Sequence, residues 1–295
     1  MINSNLFFGN FQRNYFDYKQ NSLKFLLDNY SKIGLEEIIL EYKDKDYITA
    51  IRSDIRQTFF QAIETVFEIF FALLPDKNGI IISDKIIERI TLSDLPYTNI
   101  RRIAENIDSL DILNGDIELP NGKKISIGEY VFYFGVSQNV RNKNNILESI
   151  GAIKYALNIL AKEFSDRTEY NSYKHGLRIL PALQKLSVCD VETMEKEISW
   201  DLDGSMTFYS YDKKTNESIY TTKTFDSDKD VRMTSLCSSL IWNMIKLRDI
   251  AYNWEKKYND SKFEIPFYSK ESIDDAIKTN VKIQYLKYSI KNENN

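Results

Sequence analysis

The sequence predicts a mainly α fold, a helical bundle with small β-hairpin excursions at about 115–127 and 198–226. Three observations lead there. A long aromatic and aliphatic run, Ile51 to Leu74, has its apolar side chains at helical spacing and stops at Pro75. A second stripe, from Ile146 to Phe164, repeats at steps of four, three, four, three and four, the period of one helix face. Between and after them lie short alternating segments broken by turn-forming residues, the period-two signature of strands.

In chain order, apolar positions from Asn21 to Leu74 recur at helical spacing, interrupted around Lys43–Tyr47. In the second part Phe59, Phe60, Ile63, Val66, Phe67, Phe70, Phe71 and Leu74 cover more than half of the circumference. That suits a helix buried between several neighbours rather than one lying on the surface. A further helix is predicted over Thr98–Leu110, and the turn signature Pro120-Asn121-Gly122 predicts a hairpin over 115–127.

Asn144 to Ser165 reads as an amphipathic helix with one face inward. After Pro181 the character changes. Trp200, Phe208, Tyr209, Tyr211, Ile219, Tyr220 and Phe225 are separated by turn-like Asp203-Gly204 and Lys213–Glu217, which predicts a β-meander or long hairpin. Helical spacing returns from Met233 to Trp254, and a last amphipathic segment runs from Ser272 to about Ile290. With no internal repeat and no Gly/Ser- or Pro-rich linker, the expected organisation is a single helical domain over 1–295 with a β insertion at about 188–230.

Composition excludes several classes of function. The net charge is −4, so any nucleic-acid site must be a local patch rather than a basic coat. Apolar residues make up 43% of the chain and charged residues 28%, a globular composition. Cys189 and Cys237 form no CxxC pair and suit a reducing, cytoplasmic location. No export signal and no run of about 18 apolar residues is present, so no membrane association is expected. P-loop, GxGxxG and GxSxG motifs are absent, and a single histidine excludes HExxH zinc chemistry. No cofactor is implied. The acidic groups Asp201-Leu-Asp203 and Asp226-Ser-Asp228-Lys-Asp230 read as a turn and a helix cap rather than metal ligands.

The candidate site is the segment around that one histidine, His175. At about 100° per residue, Arg167, Asn171, Lys174, His175 and Arg178 share one arc, while Tyr170, Tyr173, Leu177 and Leu180 take the other. On the same wheel the stripe from Ile146 to Phe164 lies over the cationic arc, so the two halves have exchanged faces. Either one continuous helix carries the polar cluster to the core side, or the helix breaks near Ser165-Asp166 and restarts. Asp166 with Glu169 three residues later resembles a capping box and favours the break. A functional reading gives Arg167, Lys174 and Arg178 to phosphates, Asn171 to orienting a base or phosphate, and His175 to acid–base work without a metal. The plain structural reading is a half-buried histidine flanked by solvated basic residues. Arg52, Asp54, Arg56 and Glu64 read as ion-pair formers on the early helix, with Arg56 or Glu64 orienting His175 as the less favoured reading.

Asn171-Ser-Tyr-Lys174-His175-Gly176 resembles an Asn-x-x-Lys-His variant of the HEPN superfamily, helical-bundle proteins of bacterial toxin–antitoxin and antiviral defence systems. The ribonuclease members carry Arg and His around a spacer that this chain exceeds by one, since seven residues separate Arg167 from His175. The resemblance implies RNA or nucleotide binding, metal-independent endoribonuclease chemistry at Asn171 and His175 with Arg167 or Arg178 as arginine partner, and a homodimer that completes the site. The competing expectation is a noncatalytic helical interaction protein that engages a protein partner through its aromatic β insertion.

Overall fold

The computed structural model describes residues 4–35, 39, 41–76, 86–91, 96–119, 121–136, 140–165, 167–174, 179–181, 185–189, 193, 196–202, 205–259, 261–282 and 285–291. It is mainly helical with small antiparallel sheets, as the periodicity predicts. The helices are α1 (Ser4–Asn10), α2 (Tyr15–Asn29), α3 (Asp44–Leu73), α4 (Ile86–Thr91), α5 (Pro96–Glu105), α6 (Ile127–Phe132), α7 (Val140–Phe164), α8 (Arg167–Lys174), α9 (Ser227–Asn253) and α10 (Lys270–Ile277). The strands are β1 (Asp116–Glu118), β2 (Lys124–Ser126), β3 (Ile179–Pro181), β4 (Lys185–Cys189), β5 (Lys196–Asp201), β6 (Ser205–Asp212), β7 (Glu217–Thr224) and β8 (Tyr285–Lys291). No helix among the described residues is long and apolar enough to cross a membrane.

The chain divides into two compact units, each assembled from three stretches of sequence. The first takes 1–19, 59–165 and 232–277. Its core is the second half of α3, where Phe59, Phe60, Ile63, Val66, Phe67 and Phe70 are buried while Phe71 is half-buried. Each fully buried phenylalanine of this run contributes about 1.5–3 kcal/mol. Every member of the predicted α7 stripe, Ile146, Ile150, Ile153, Leu157, Leu160 and Phe164, is buried. α5 packs on α7, and α6 approaches α7 so closely that a Cβ on Gly128 would meet Ile150 Cγ2 at 2.9 Å. Arg248 of α9 donates to the carbonyls of Tyr130 and Val131 at the end of α6, supplying donors and positive charge where helical carbonyls are left over. The hairpin predicted over 115–127 is β1–β2, with Ile117 opposite Ile125.

The second unit takes 20–58, 166–231 and 278–295. Its sheet has the order β3-β6-β7-β8, all antiparallel, and β4 and β5 pair separately. The predicted hairpin is real for β6 and β7, joined through 213–216 with Asn216 at φ 58. Asp212 Oδ1 accepts from the Lys214 amide at 2.8 Å and tightens that turn.

Three expectations need correction. The stretch from Ile198 does not lead into a meander with β6; it belongs to β5, whose partner is the upstream β4. The helix predicted over Thr98–Leu110 ends at Glu105, and a 3-10 segment, Ile107–Asn114, follows with the Asn106 side chain accepting from the Asp108 amide. The last amphipathic segment splits into α10 and the strand β8, which joins the sheet beside β7. The β-forming residues thus extend beyond 188–230 and share their unit with the start of α3.

Candidate functional site

α7 stops at Phe164 and α8 starts at Arg167, so the helix breaks where the exchange of faces predicts. The restarted helix buries Tyr170 and Tyr173, as its wheel predicts, together with Glu169 and Ser172, and leaves Asn171 half-buried. The Tyr173 ring meets Phe208 edge-on at 5.5 Å, which seats α8 against β6. His175 and Arg178 lie outside the described residues, as do the side chains of Arg167 and Lys174 and the capping residue Asp166. Of the predicted site, Asn171 is therefore the one side chain the structure places.

What holds α8 is a buried ion network. Arg56 of α3 donates from Nε to Glu169 Oε1 at 2.7 Å and from Nη1 to Asp230 Oδ1 at 2.8 Å. Lys223 of β7 donates to the other Glu169 oxygen at 2.9 Å. The Arg56, Glu169 and Asp230 side chains are 3%, 1% and 3% exposed, so two carboxylates and a guanidinium sit away from water and depend on one another. The Phe225 ring lies 5.0 Å from the guanidinium and 5.7 Å from the Lys223 ammonium, its face turned to both cations. The sequence marks Arg56 as an ion-pair former. That its partners are Glu169 of α8 and Asp230 of α9 is not signalled by the sequence, which reads both as helix-capping residues, because they stand 113 and 174 residues away.

A cavity of about 500 Å³ adjoins this network, lined in part by Lys24, Asp28, Arg52, Phe225, Asp226 and Asp228. Lys24 bridges Asp28 at 2.6 Å and Asp228 at 3.1 Å. Burial works against its charge, but the two carboxylates hold its pKa above the ordinary lysine value. Asp226 caps α9, accepting from the Lys229 amide at 3.0 Å, as the sequence predicts for this acidic run; its other oxygen accepts from the Thr279 hydroxyl at 2.7 Å.

The first unit has a polar cluster of its own. The fully buried Asp249 carboxylate accepts from the Tyr258 hydroxyl at 2.5 Å and the Asn253 amide at 3.0 Å. Lys246, Lys257 and Arg13 stand 3.4, 3.6 and 3.7 Å from one of its oxygens. Burial alone would raise the Asp249 pKa; the Tyr258 and Asn253 hydrogen bonds and the two lysines outweigh it and hold the carboxyl below its usual value. Tyr258 closes a π-helical turn, Trp254–Tyr258, at the end of α9.

Among the described residues no group of three or more His, Cys, Asp or Glu side chains could hold a metal ion. Fold and site together define a mainly helical protein whose short helix α8 is fixed by buried charge. Comparison with known proteins finds no matching family model, no similar curated sequence and no similar solved structure.

Proposed function

We propose that this chain is a HEPN-like, RNA-directed protein of bacterial defence or toxin type, working as a metal-independent endoribonuclease through His175. The observation that carries the reading is the anchoring of α8: the helix that presents Asn171, and ends one residue before the only histidine, is tied down by a buried Arg56–Glu169 pair. Rigid support of this kind holds a catalytic side chain in register with its substrate.

In this reading His175 takes the proton from a ribose 2′-hydroxyl, or delivers one to the leaving 5′-oxygen, since an imidazole titrates near neutrality. Arg167, Lys174 and Arg178 supply positive charge to the phosphate as it gains charge on the way to the phosphorane. Asn171 orients the base or a phosphate oxygen. Two copies of the chain bring paired sites together about a two-fold axis.

The test is incubation of wild-type and His175→Ala protein with total cellular RNA in the presence of a metal chelator. A cleavage pattern made by the wild type and missing from the variant is the expected result. Cleavage undiminished in His175→Ala, or cleavage only with a divalent metal, overturns the catalytic assignment.

A further inference from the structure

Three elements of the first unit meet around a cavity of about 210 Å³: the C-terminal end of α3, the helix α5, and the 3-10 segment Ile107–Asn114 that follows it. Its walls are apolar. Phe70, Phe71 and Leu74 come from the end of α3, Ile103 from α5, and Leu110 and Ile112 from the 3-10 segment. Phe70, Ile103 and Leu110 are buried, Phe71 and Leu74 are half-buried and Ile112 is exposed, so the cavity opens from the edge of the core to the surface. A cavity of about 150 Å³ lined by Leu, Ile and Phe takes up benzene, and pockets for drug-sized ligands measure about 300–1,000 Å³. This one falls between the two, with room for a ring and a short arm.

Polar side chains complete the lining: Asn99 and Arg102 of α5 and Ser109 of the 3-10 segment. The Ser109 Oγ is buried and makes no hydrogen bond, a state that buried hydroxyls rarely keep without a partner. Asn99 and Arg102 stand three residues apart and so are neighbours on one face of α5. Among the described residues neither side chain forms a hydrogen bond or an ion pair. No carboxylate lines the cavity. Of the acids close by in sequence, Glu105 is held by Arg101 at 2.7 Å and Asp111 by Lys154 at 2.5 Å, while Asp108 is exposed and lies outside the lining. The Arg102 guanidinium is therefore the one charge of the cavity wall.

This lining selects its guest. A carboxylate takes two N–H groups of a guanidinium side by side, and its remaining lone pairs accept from a hydroxyl and an amide. The apolar part of the guest meets rings: Phe71 lies 5.2 Å from Phe70 and stacks on Phe67 at 5.9 Å, and a further ring extends that run.

We infer that this cavity binds a small aromatic carboxylate, its ring against Phe70, Phe71 and Ile103 and its carboxylate against Arg102, Asn99 and Ser109. The site goes beyond the RNA-directed reading and does not depend on it.

The experiment titrates the full chain with phenylacetate and follows heat and isoleucine methyl resonances. Saturable binding at about millimolar concentration or below is expected, with the Ile103 and Ile112 methyls shifting and that of Ile219, on β7, holding still. Arg102→Gln, at an exposed position and so without damage to the core, should weaken binding about five- to tenfold, and Ser109→Ala about two- to fivefold. Phenethylamine, with the same ring and the opposite charge, should not bind. No saturable binding, equal uptake of phenethylamine, an affinity unchanged in Arg102→Gln, or an Ile103 methyl that does not move overturns the site. So does octanoate bound more tightly than phenylacetate, which would make the cavity the mouth of a groove for a flexible chain.

Discussion

Arg56 shows how much can depend on one side chain. Its guanidinium is the shared partner of two buried carboxylates on different elements, so Arg56→Leu takes this cation from Asp230 and leaves the Glu169 charge to Lys223. The expected cost is about 3–5 kcal/mol, read as a shift in the urea midpoint. It should change little between low and high salt, since buried pairs escape screening. A loss below about 1 kcal/mol would mean that water already reaches the pair. Asp249 gives a prediction in pH. Its carboxyl is held below the ordinary value of 3.8, so its ionised form stabilises the fold above about pH 4, and that contribution is lost as pH falls through the lower folded value. Asp249→Asn should therefore cost about 1.5–3 kcal/mol at neutral pH, and melting curves of variant and wild type should converge as the solution is acidified below about pH 4. A constant gap down to pH 3 would refute the assignment. At this scale the sequence is readable only in part. Arg56 and Asp226 announce an ion pair and a cap, and the structure bears out both. Glu169 presents itself as the far end of a capping box, yet its carboxylate is taken up by Arg56 and Lys223, groups that folding alone brings near.

Among the elements, helices declare themselves where the apolar period is long. α3, α7 and α9 end one residue before their predicted ends, because many turns of consistent spacing average out any one residue. They begin earlier than predicted, at Asp44, Val140 and Ser227, so that α3 runs through most of the expected interruption at Lys43–Tyr47. Strands are less legible. In β8, Leu286, Tyr288 and Ile290 alternate with Lys287, Ser289 and Lys291, a period of two, but the segment follows directly on a helical one and its partner β7 is more than sixty residues upstream. β5 has the right residues and the wrong predicted neighbour, since nothing local tells a strand whether to pair forward with β6 or backward with β4. Tight joins are legible as glycines but not in their consequence. Gly135 has φ 81, and a Cβ there would stand 2.8 Å from the Ala251 Cβ of α9. Gly135→Ala should cost about 1–3 kcal/mol from the backbone alone, with a further loss from the clash. A thermal melt that is unchanged would show that the loop after α6 relaxes freely.

At the scale of the whole chain, both units are discontinuous, and α3 and α9 each contribute to both. The sequence, with no linker to mark a division, offers no sign of this arrangement. Units assembled from distant stretches depend on their last stretch to close. For the second unit that stretch is 278–295, which brings β8 to the open edge of β7 and the Thr279 hydroxyl to the Asp226 cap. Ending the chain after Ile277 therefore strips β7 of one of its two neighbours and removes the ring of Tyr288 that stacks on Tyr220. Amides of β7 that donate to β8 should lose their protection in hydrogen exchange, and the start of α9 should fray as its cap loses a hydroxyl donor. The α7 amides, whose buried stripe is packed within the first unit, should exchange as slowly as before. If α7 loses protection together with β7, the two units unfold as one cooperative body. If neither changes, β8 adds nothing to the stability of the sheet.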